Sequence, residues 1–433
     1  MLTSTVTAKS MTARTMNTMN VSATNTTMTS TSDNLITAID LGSSKTVVLV
    51  AEVTGSGLRY RGHGVAESRG SHKGIIVDLD RAAACIQQAA EQAENSAGAP
   101  VEHAIVGIGG AHVRGVNSQG GISLGLRARE ITREEIRQSV EKARAIALPA
   151  DREVLHLLPK EFVLDGQPGV HDPLGMMATR LEVRVHILTA ATSAVQNVVT
   201  AVNRAGVEVS DTVFEPLACA DSVLRNDERE VGVCLADIGA GSTEMIVYHE
   251  GAVVHSAVIP IGGDHFTSDL TVGLATPGVE AEKIKRIYGN AVVTLIPEAN
   301  EVEVPSVGDR PSRMVAQRFI GEILEPRARE LFEMMRQNLR QSGYLDICAG
   351  GCVLSGGGTR LAGILDIAES TLRRPLRLSW PTPMAKMPRI LAEPEFATVL
   401  GMALYSHRVR VARGMQDGRW SSRLKAFFGR KGA

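Results

Sequence analysis

A nine-residue pattern occurs twice in this chain, and few folds accommodate that. Ala38-Ile39-Asp40-Leu41-Gly42-Ser43-Ser44-Lys45-Thr46 aligns with Leu235-Ala236-Asp237-Ile238-Gly239-Ala240-Gly241-Ser242-Thr243, the two aspartates 197 positions apart. In each copy an apolar run ends on Asp, a turn of small residues follows, and a β-branched run leaves it, which is the mark of a β-hairpin. The spacing is far too long for a stacked repeat array. It predicts an α/β chain in which two copies of one domain face each other across a cleft.

The rest of the pattern supports an α/β reading. Ala82–Ser96 carries apolar residues at helical spacing and stops before Gly98–Pro100. Thr132 and Glu135 have the spacing of a capping box and open a helix reaching about Ile146. Leu181–Ala190 reads as a strand, Ser193–Ala205 as a helix that Gly206 ends, and Cys352–Ser355 as a strand ahead of three glycines. Residues 275–345 read as mainly helical, with a polar, proline-marked excursion at Pro297–Pro311. The first 34 residues hold eleven Thr and only three charged side chains, too polar to pack a core. They are expected to be disordered, and their methionines also allow a start further along.

The turns carry the chemistry. Backbone N–H groups in turns of small residues form concave anion sites suited to phosphate oxygens. The candidates are Gly42, Ser43 and Ser44 in the first turn and Gly239, Ala240, Gly241, Ser242 and Thr243 in the second, with Lys45 as a point charge. Asp40 and Asp237 would be repelled by phosphate, so they are expected to hold the waters of a Mg²⁺ ion. A third element, Gly356-Gly357-Gly358-Thr359-Arg360, lies between a strand and a helix, where glycine backbone can lie against a ribose or base. Neither Walker A nor Rossmann spacing fits: Gly42–Thr46 lacks the Gly-Lys, and Gly107-Ile108-Gly109-Gly110-Ala111-His112 lacks the third glycine. The five cysteines are scattered without metal-ligand spacing and read as buried free thiols.

Two phosphate turns followed by a Gly-rich adenosine loop resemble the actin/Hsp70/sugar-kinase ATPase superfamily. Within it the chain is similar to the FtsA family of actin-like bacterial cell-division proteins, from Leu35 to Tyr405. The matching stretches include Arg69–Asp78, Gly107–Leu124, Asp151–Phe162, Asp172–Arg180, Val258–Asp264 and Glu282–Gly289. The resemblance implies an actin-like ATPase fold, two duplicated RNase H-like domains around a nucleotide cleft with a 1C-type insertion. Subdomain 1A would comprise 35–110, 192–229 and 381–405, the 1C insertion 111–191, subdomain 2A 230–274 and 346–380, and 2B 275–345. It implies ATP and Mg²⁺ as cofactors and at most weak ATPase activity. Glu282 and Lys283 become candidates for nucleoside contacts, with Lys285 and Arg286 also within reach. Glu215 becomes the candidate for orienting the attacking water, and Glu244 stands where many members carry Asp.

The charge distribution adds one more element. The formal net charge is −1, which excludes a generally basic nucleic-acid binder, yet Arg408–Ala433 holds eight Lys+Arg and one Asp. At 100° per residue Trp420, Leu424, Phe427 and Phe428 share one arc, flanked by Arg423 and Arg430 on one side and Lys425 on the other. That is the pattern of a helix lying in an anionic membrane interface, residues 419–431, after a linker at 406–418. No run is long and apolar enough to span a membrane. The resemblance implies that the helix tethers the FtsZ ring to the cytoplasmic face of the membrane at the division site. It also implies that Arg327 and Glu330 meet the FtsZ C-terminal peptide, that the chain self-associates into filaments, and that later division proteins are recruited. An actin-like pilus-assembly ATPase and a metabolic kinase of the same fold are the competing readings, both without use for the basic tail.

Overall fold

The computed structural model describes residues 34–308 and 310–414. Of the tract expected to be disordered at 1–34, residues 1–33 lie outside the described residues, as does the amphipathic helix expected at 419–431.

Each repeat opens a five-stranded sheet of the same plan. In the first half Leu35–Leu41 pairs antiparallel with Lys45–Thr54, which pairs antiparallel with Gly57–Glu67; on its other side it pairs parallel with His103–Ile108, and that strand with Glu208–Phe214. The second half repeats this with Val233–Ile238, Thr243–His249, Ala252–Ile259, Cys352–Ser355 and Leu376–Leu378. The inner strands are buried on both faces, so they read as runs of Val, Ile, Leu and Ala without alternation: Val47, Val48, Leu49 and Val50 have no exposed surface.

Helices cover the sheets. Leu79–Ala97 is started by the Asp78 carboxylate, which accepts from the Arg81 backbone N–H at 3.0 Å, and is ended by Gly98 in the left-handed region. In the second half Gly263–Gly273, Gly278–Tyr288, Gln317–Gln341 and Ile364–Leu372 pack Phe266, Leu324, Leu331 and Phe332 onto the sheet. The excursion expected at Pro297–Pro311 is the first arm of a small β-hairpin, Glu301–Val304 paired with Arg313–Ala316.

Between His103–Ile108 and Glu208–Phe214 the chain inserts a separate four-stranded antiparallel sheet with its own apolar cluster around Ile131, Leu181, Val183 and Ile187. Its helix, Arg133–Arg144, starts where the capping box placed it: the Glu135 carboxylate accepts from the Thr132 backbone N–H at 3.0 Å. The insertion is joined covalently to the first half and leans on the second. His186 Nε2 meets Ser256 Oγ at 2.9 Å, and Asn117 Nδ2 donates to the Val254 carbonyl at 3.3 Å. Burial pushes the His186 imidazole down to about 3, so it is neutral in this contact.

The segment from Ser406 was expected as a linker; the last helix instead runs Ala397–Gly414. Its reason is packing and charge: Val409 is buried, and Arg408 donates to Asp221 Oδ2 at 2.7 Å. All five cysteines are buried free thiols.

Candidate functional site: a nucleotide cleft between the halves

Both aspartates sit on the penultimate residue of their strand, Asp40 opposite Val47 and Asp237 opposite Glu244. Identical placement in two sheets that face each other brings the two turns to one cleft of about 650 Å³. The parallel strands end there too, supplying Gly107–Gly109 from the first half and Gly356–Gly358 from the second. Open α/β sheets bind ligands at this carboxyl end of their strands.

Of the residues singled out in the sequence, Asp40, Gly42, Ser43, Ser44, Lys45, Glu215, Asp237, Gly239, Ala240, Gly241, Ser242, Glu282, Gly356, Gly357, Gly358 and Arg360 line the cleft. Two do not. Thr243 is fully buried and donates to the Ile261 carbonyl at 2.8 Å, because strand alternation turns it into the domain. Lys283 points away and pairs with Glu280 at 2.8 Å, whereas Lys285 and Arg286 share the face of Glu282 and pair with it at 2.6 and 2.7 Å. Helical geometry decides this, since i+3 and i+4 are neighbours of Glu282 and i+1 is not.

Two glycines are required by close approach. Gly356 has φ 84°, and a Cβ there would lie 2.2 Å from Asp237 Oδ1. At Gly241 a Cβ would come within 2.5 Å of the Lys73 Cα on the opposite half. Ser43 Oγ accepts from the Gly74 backbone N–H at 3.1 Å, which fixes the first turn against the same segment.

The cleft floor concentrates four carboxylates. Burial, then Asp237, raises Asp40 to about 7, with Lys45 opposing. Burial raises Glu244 to about 8, against the hydrogen bond from the Gly110 N–H. Burial and the neighbouring Glu244, Asp40 and Asp237 carry Glu215 well above its ordinary value, and burial raises Asp237. Glu244 reaches across to the Gly110 backbone N–H with one oxygen, while its Oε2 is buried without a partner. Such a set of crowded, hard oxygen donors is what a hydrated Mg²⁺ relieves. Among the described residues no group of three or more His, Cys, Asp or Glu is placed to hold a metal ion.

Three contributors were missed in the sequence. Thr398 Oγ1 donates to Asp237 Oδ2 at 2.6 Å; Glu395 pairs with Lys45 at 3.2 Å; and Phe396 places its ring 3.8 Å from the Lys45 ammonium. They lie at least 158 residues from Asp237 and at least 350 from Lys45, in a segment with no motif of its own. The residues considered for a partner peptide sit outside the cleft: Arg327 grips Asp269 with bonds of 2.7 and 3.0 Å and also pairs with Glu330.

Two RNase H-like domains with mirrored Asp-led turns around a cleft, plus an inserted sheet, define an actin-like ATPase fold. Solved structures agree at the level of fold: a PilM–PilN type IV pilus biogenesis complex superposes with a TM-score of 0.62 at 18% identity, covering 85% of this chain and 97% of that one. MreB5 of Spiroplasma citri bound to ADP superposes at 0.53 with 13% identity, covering 89% and 99%. The chain belongs to the FtsA family of cell division proteins. The model for cell division protein FtsA matches residues 234–401, and that for the SHS2 domain inserted in FtsA matches 110–189. The chain is 42% identical to cell division protein FtsA of Pseudomonas aeruginosa over 86% of its length and 89% of that protein. With the FtsA of Neisseria meningitidis it shares 37% over 85% and 89%, and with that of Escherichia coli K12 33% over 87% and 91%.

Proposed function

We propose that this chain binds Mg–ATP in the cleft, assembles into actin-like filaments, and tethers the FtsZ ring to the cytoplasmic face of the cell membrane at the division site. The observation that carries the reading is the pair of Asp-led turns aimed at one cavity from opposite halves. A phosphate chain lying between them would meet two sets of backbone N–H groups, with Ser43, Ser44 and Ser242 as further donors and Lys45 as the charge. Gly356–Gly358, Arg360, Glu282 and Lys285 would take the nucleoside. Asp40 and Asp237 would hold Mg²⁺ through water, and the ion would neutralise phosphate charge there. Glu215 stands at the start of helix Glu215–Val223 and lines the cleft, where it would orient the attacking water. Slow turnover, rather than rapid phosphorylation of a small acceptor, is expected.

The C-terminal segment 419–431 is the membrane anchor in this reading. Its four large apolar side chains would each add about 1.5–3 kcal/mol if fully buried, and its basic residues about 1 kcal/mol each near an anionic surface. The binding is reversible for one copy and firm for a filament of many. Arg327 and Glu330, half-exposed and exposed on helix Gln317–Gln341, are the proposed contacts of the FtsZ C-terminal peptide, and the inserted sheet would contact neighbouring subunits or later division proteins.

Calorimetry of the full chain with Mg–ATP tests the cleft, and a saturable heat is the expected result. Flotation with anionic vesicles tests the anchor. The parent floats and a chain lacking 419–433 stays at the bottom of the gradient while still binding ATP. Absence of heat sinks the nucleotide reading, and unchanged flotation sinks the anchor.

A further inference from the structure

Lys45 and Arg360 come from opposite halves of the molecule, yet they share one carboxylate. Glu395 Oε1 lies 3.2 Å from the Lys45 ammonium, and its Oε2 lies 3.3 Å from Arg360 Nε. Arg360 is held a second time by Glu393 at 3.2 Å. The Lys45 ammonium also rests 3.8 Å from the centroid of Phe396, whose ring is itself buried and therefore fixed. Glu393, Glu395 and Phe396 occupy two short turns just ahead of helix Ala397–Gly414, the same helix whose Thr398 donates to Asp237.

We propose that Glu395 is a positioning residue of the nucleotide site, holding Lys45 and Arg360 in fixed relation across the cleft so that phosphate and nucleoside meet cations already in place. The inference rests on reading the cleft as an ATP site and adds a residue to it. A lysine loses rotamer entropy when its stem is ordered, and a site that orders it beforehand spares the ligand that cost. An ammonium has three N–H donors, so one held by a single carboxylate oxygen keeps donors for phosphate. Burial, the largest influence, lowers the Lys45 pKa and Arg360 adds to that, while Glu395 and then Asp40 favour its charge. Removing Glu395 therefore both frees the stem and weakens the charge that phosphate needs.

The test uses the full chain and four variants: Glu395→Gln, Glu395→Asp, Lys45→Ala, and Lys45→Ala combined with Glu395→Gln. Affinities for Mg–ATP and for adenosine are measured by calorimetry, with thermal melts beside them. Glu395→Gln weakens Mg–ATP about tenfold, the scale of a hydrogen bond to a charged group. Adenosine loses less than about threefold, because Glu393 still holds Arg360. Glu395→Asp, which keeps the charge, recovers most of the loss. In the Lys45→Ala background the Gln substitution changes ATP affinity by less than about threefold, since its route through Lys45 is gone. ATP binding by Glu395→Gln that equals or exceeds the parent's overturns the inference, as does a tenfold loss that persists without Lys45. A parent that binds no Mg–ATP overturns the cleft reading itself, whereas a parent that binds and a variant that matches it overturn this inference alone.

Discussion

Replacing Asp221 with alanine destabilises the protein by about 3–5 kcal/mol, the range for breaking a buried ion pair from one side. Asp221 sits on helix Glu215–Val223 with its side chain 7% exposed, and it serves two arginines at once. Its Oδ2 accepts from Arg408 Nε and Nη2 at 3.0 and 2.7 Å, and its Oδ1 from Arg229 Nη2 at 3.1 Å. Burial alone would push this carboxyl up; Arg408 and Arg229 outweigh it and hold the pKa below the ordinary range. Arg229 is also 4.7 Å from the Tyr248 ring centroid and donates to the Ala220 carbonyl at 2.6 Å. The three charges join elements that must stay in register: the helix that presents Glu215, the segment Asn226–Val231 where the chain crosses between halves, and helix Ala397–Gly414. Alanine removes the carboxylate that the two largely buried guanidinium groups share. Thermal unfolding should show a midpoint lowered by about 5 °C, while Asp221→Asn, which keeps an acceptor, falls less. A loss under about 1 kcal/mol would mean that solvent reaches the arginines in the folded protein.

The hairpins were legible because their signal is local. A β-branched run, an Asp and a turn of small residues are contiguous, and the second copy confirmed the register of the first. Capping chemistry was legible for the same reason, as Thr132 with Glu135 and Gly206 show. The two misplacements, Thr243 and Lys283, came from treating a motif as a string rather than as a strand or helix with faces. Alternation of side chains along Thr243–His249 and the i+3, i+4 rule on Gly278–Tyr288 correct both. What no local pattern carries is the contact that the last helix and the short turn ahead of it make with the two hairpins. Glu395, Phe396 and Thr398 reach Lys45 and Asp237 only because the chain returns to the first domain after building the second. The continuation of helix through Ser406–Gly414 was hidden likewise, since Arg408 reads as part of a basic tail until Asp221 is found beside it.

The empty protein should lose stability as pH rises from about 6.5 to about 8.5, the opposite of ordinary carboxylate behaviour. Asp40 at about 7 and Glu244 at about 8 are both raised, first by burial and then by neighbouring acids, above an unfolded value near 4. The folded state therefore keeps protons that the unfolded chain has already released. The stability linked to these groups is complete below the unfolded pKa and is lost as pH rises through about 7 and 8. Several histidines act in the other sense: His186, His112 and His255 are lowered, chiefly by burial, so their contribution disappears as pH falls below about 6.5. Above that pH they are neutral in both states and leave the carboxylates to set the slope. Each extra proton held by the folded state is worth about 1.4 kcal/mol per pH unit, so a fall on the order of 2 kcal/mol is expected across the window. Thermal melts of the nucleotide-free chain in a buffer series measure it. Glu244→Gln keeps an acceptor for the Gly110 N–H but removes one titrating group and its repulsions with Asp237, Asp40 and Glu215, so its profile should be flatter and its stability at pH 8 higher than the parent's. A parent midpoint that holds level or climbs between pH 6.5 and 8.5 would show that the four acids are already ionised in the empty cleft, and the case for a cation drawn in with the nucleotide would lose its electrostatic ground.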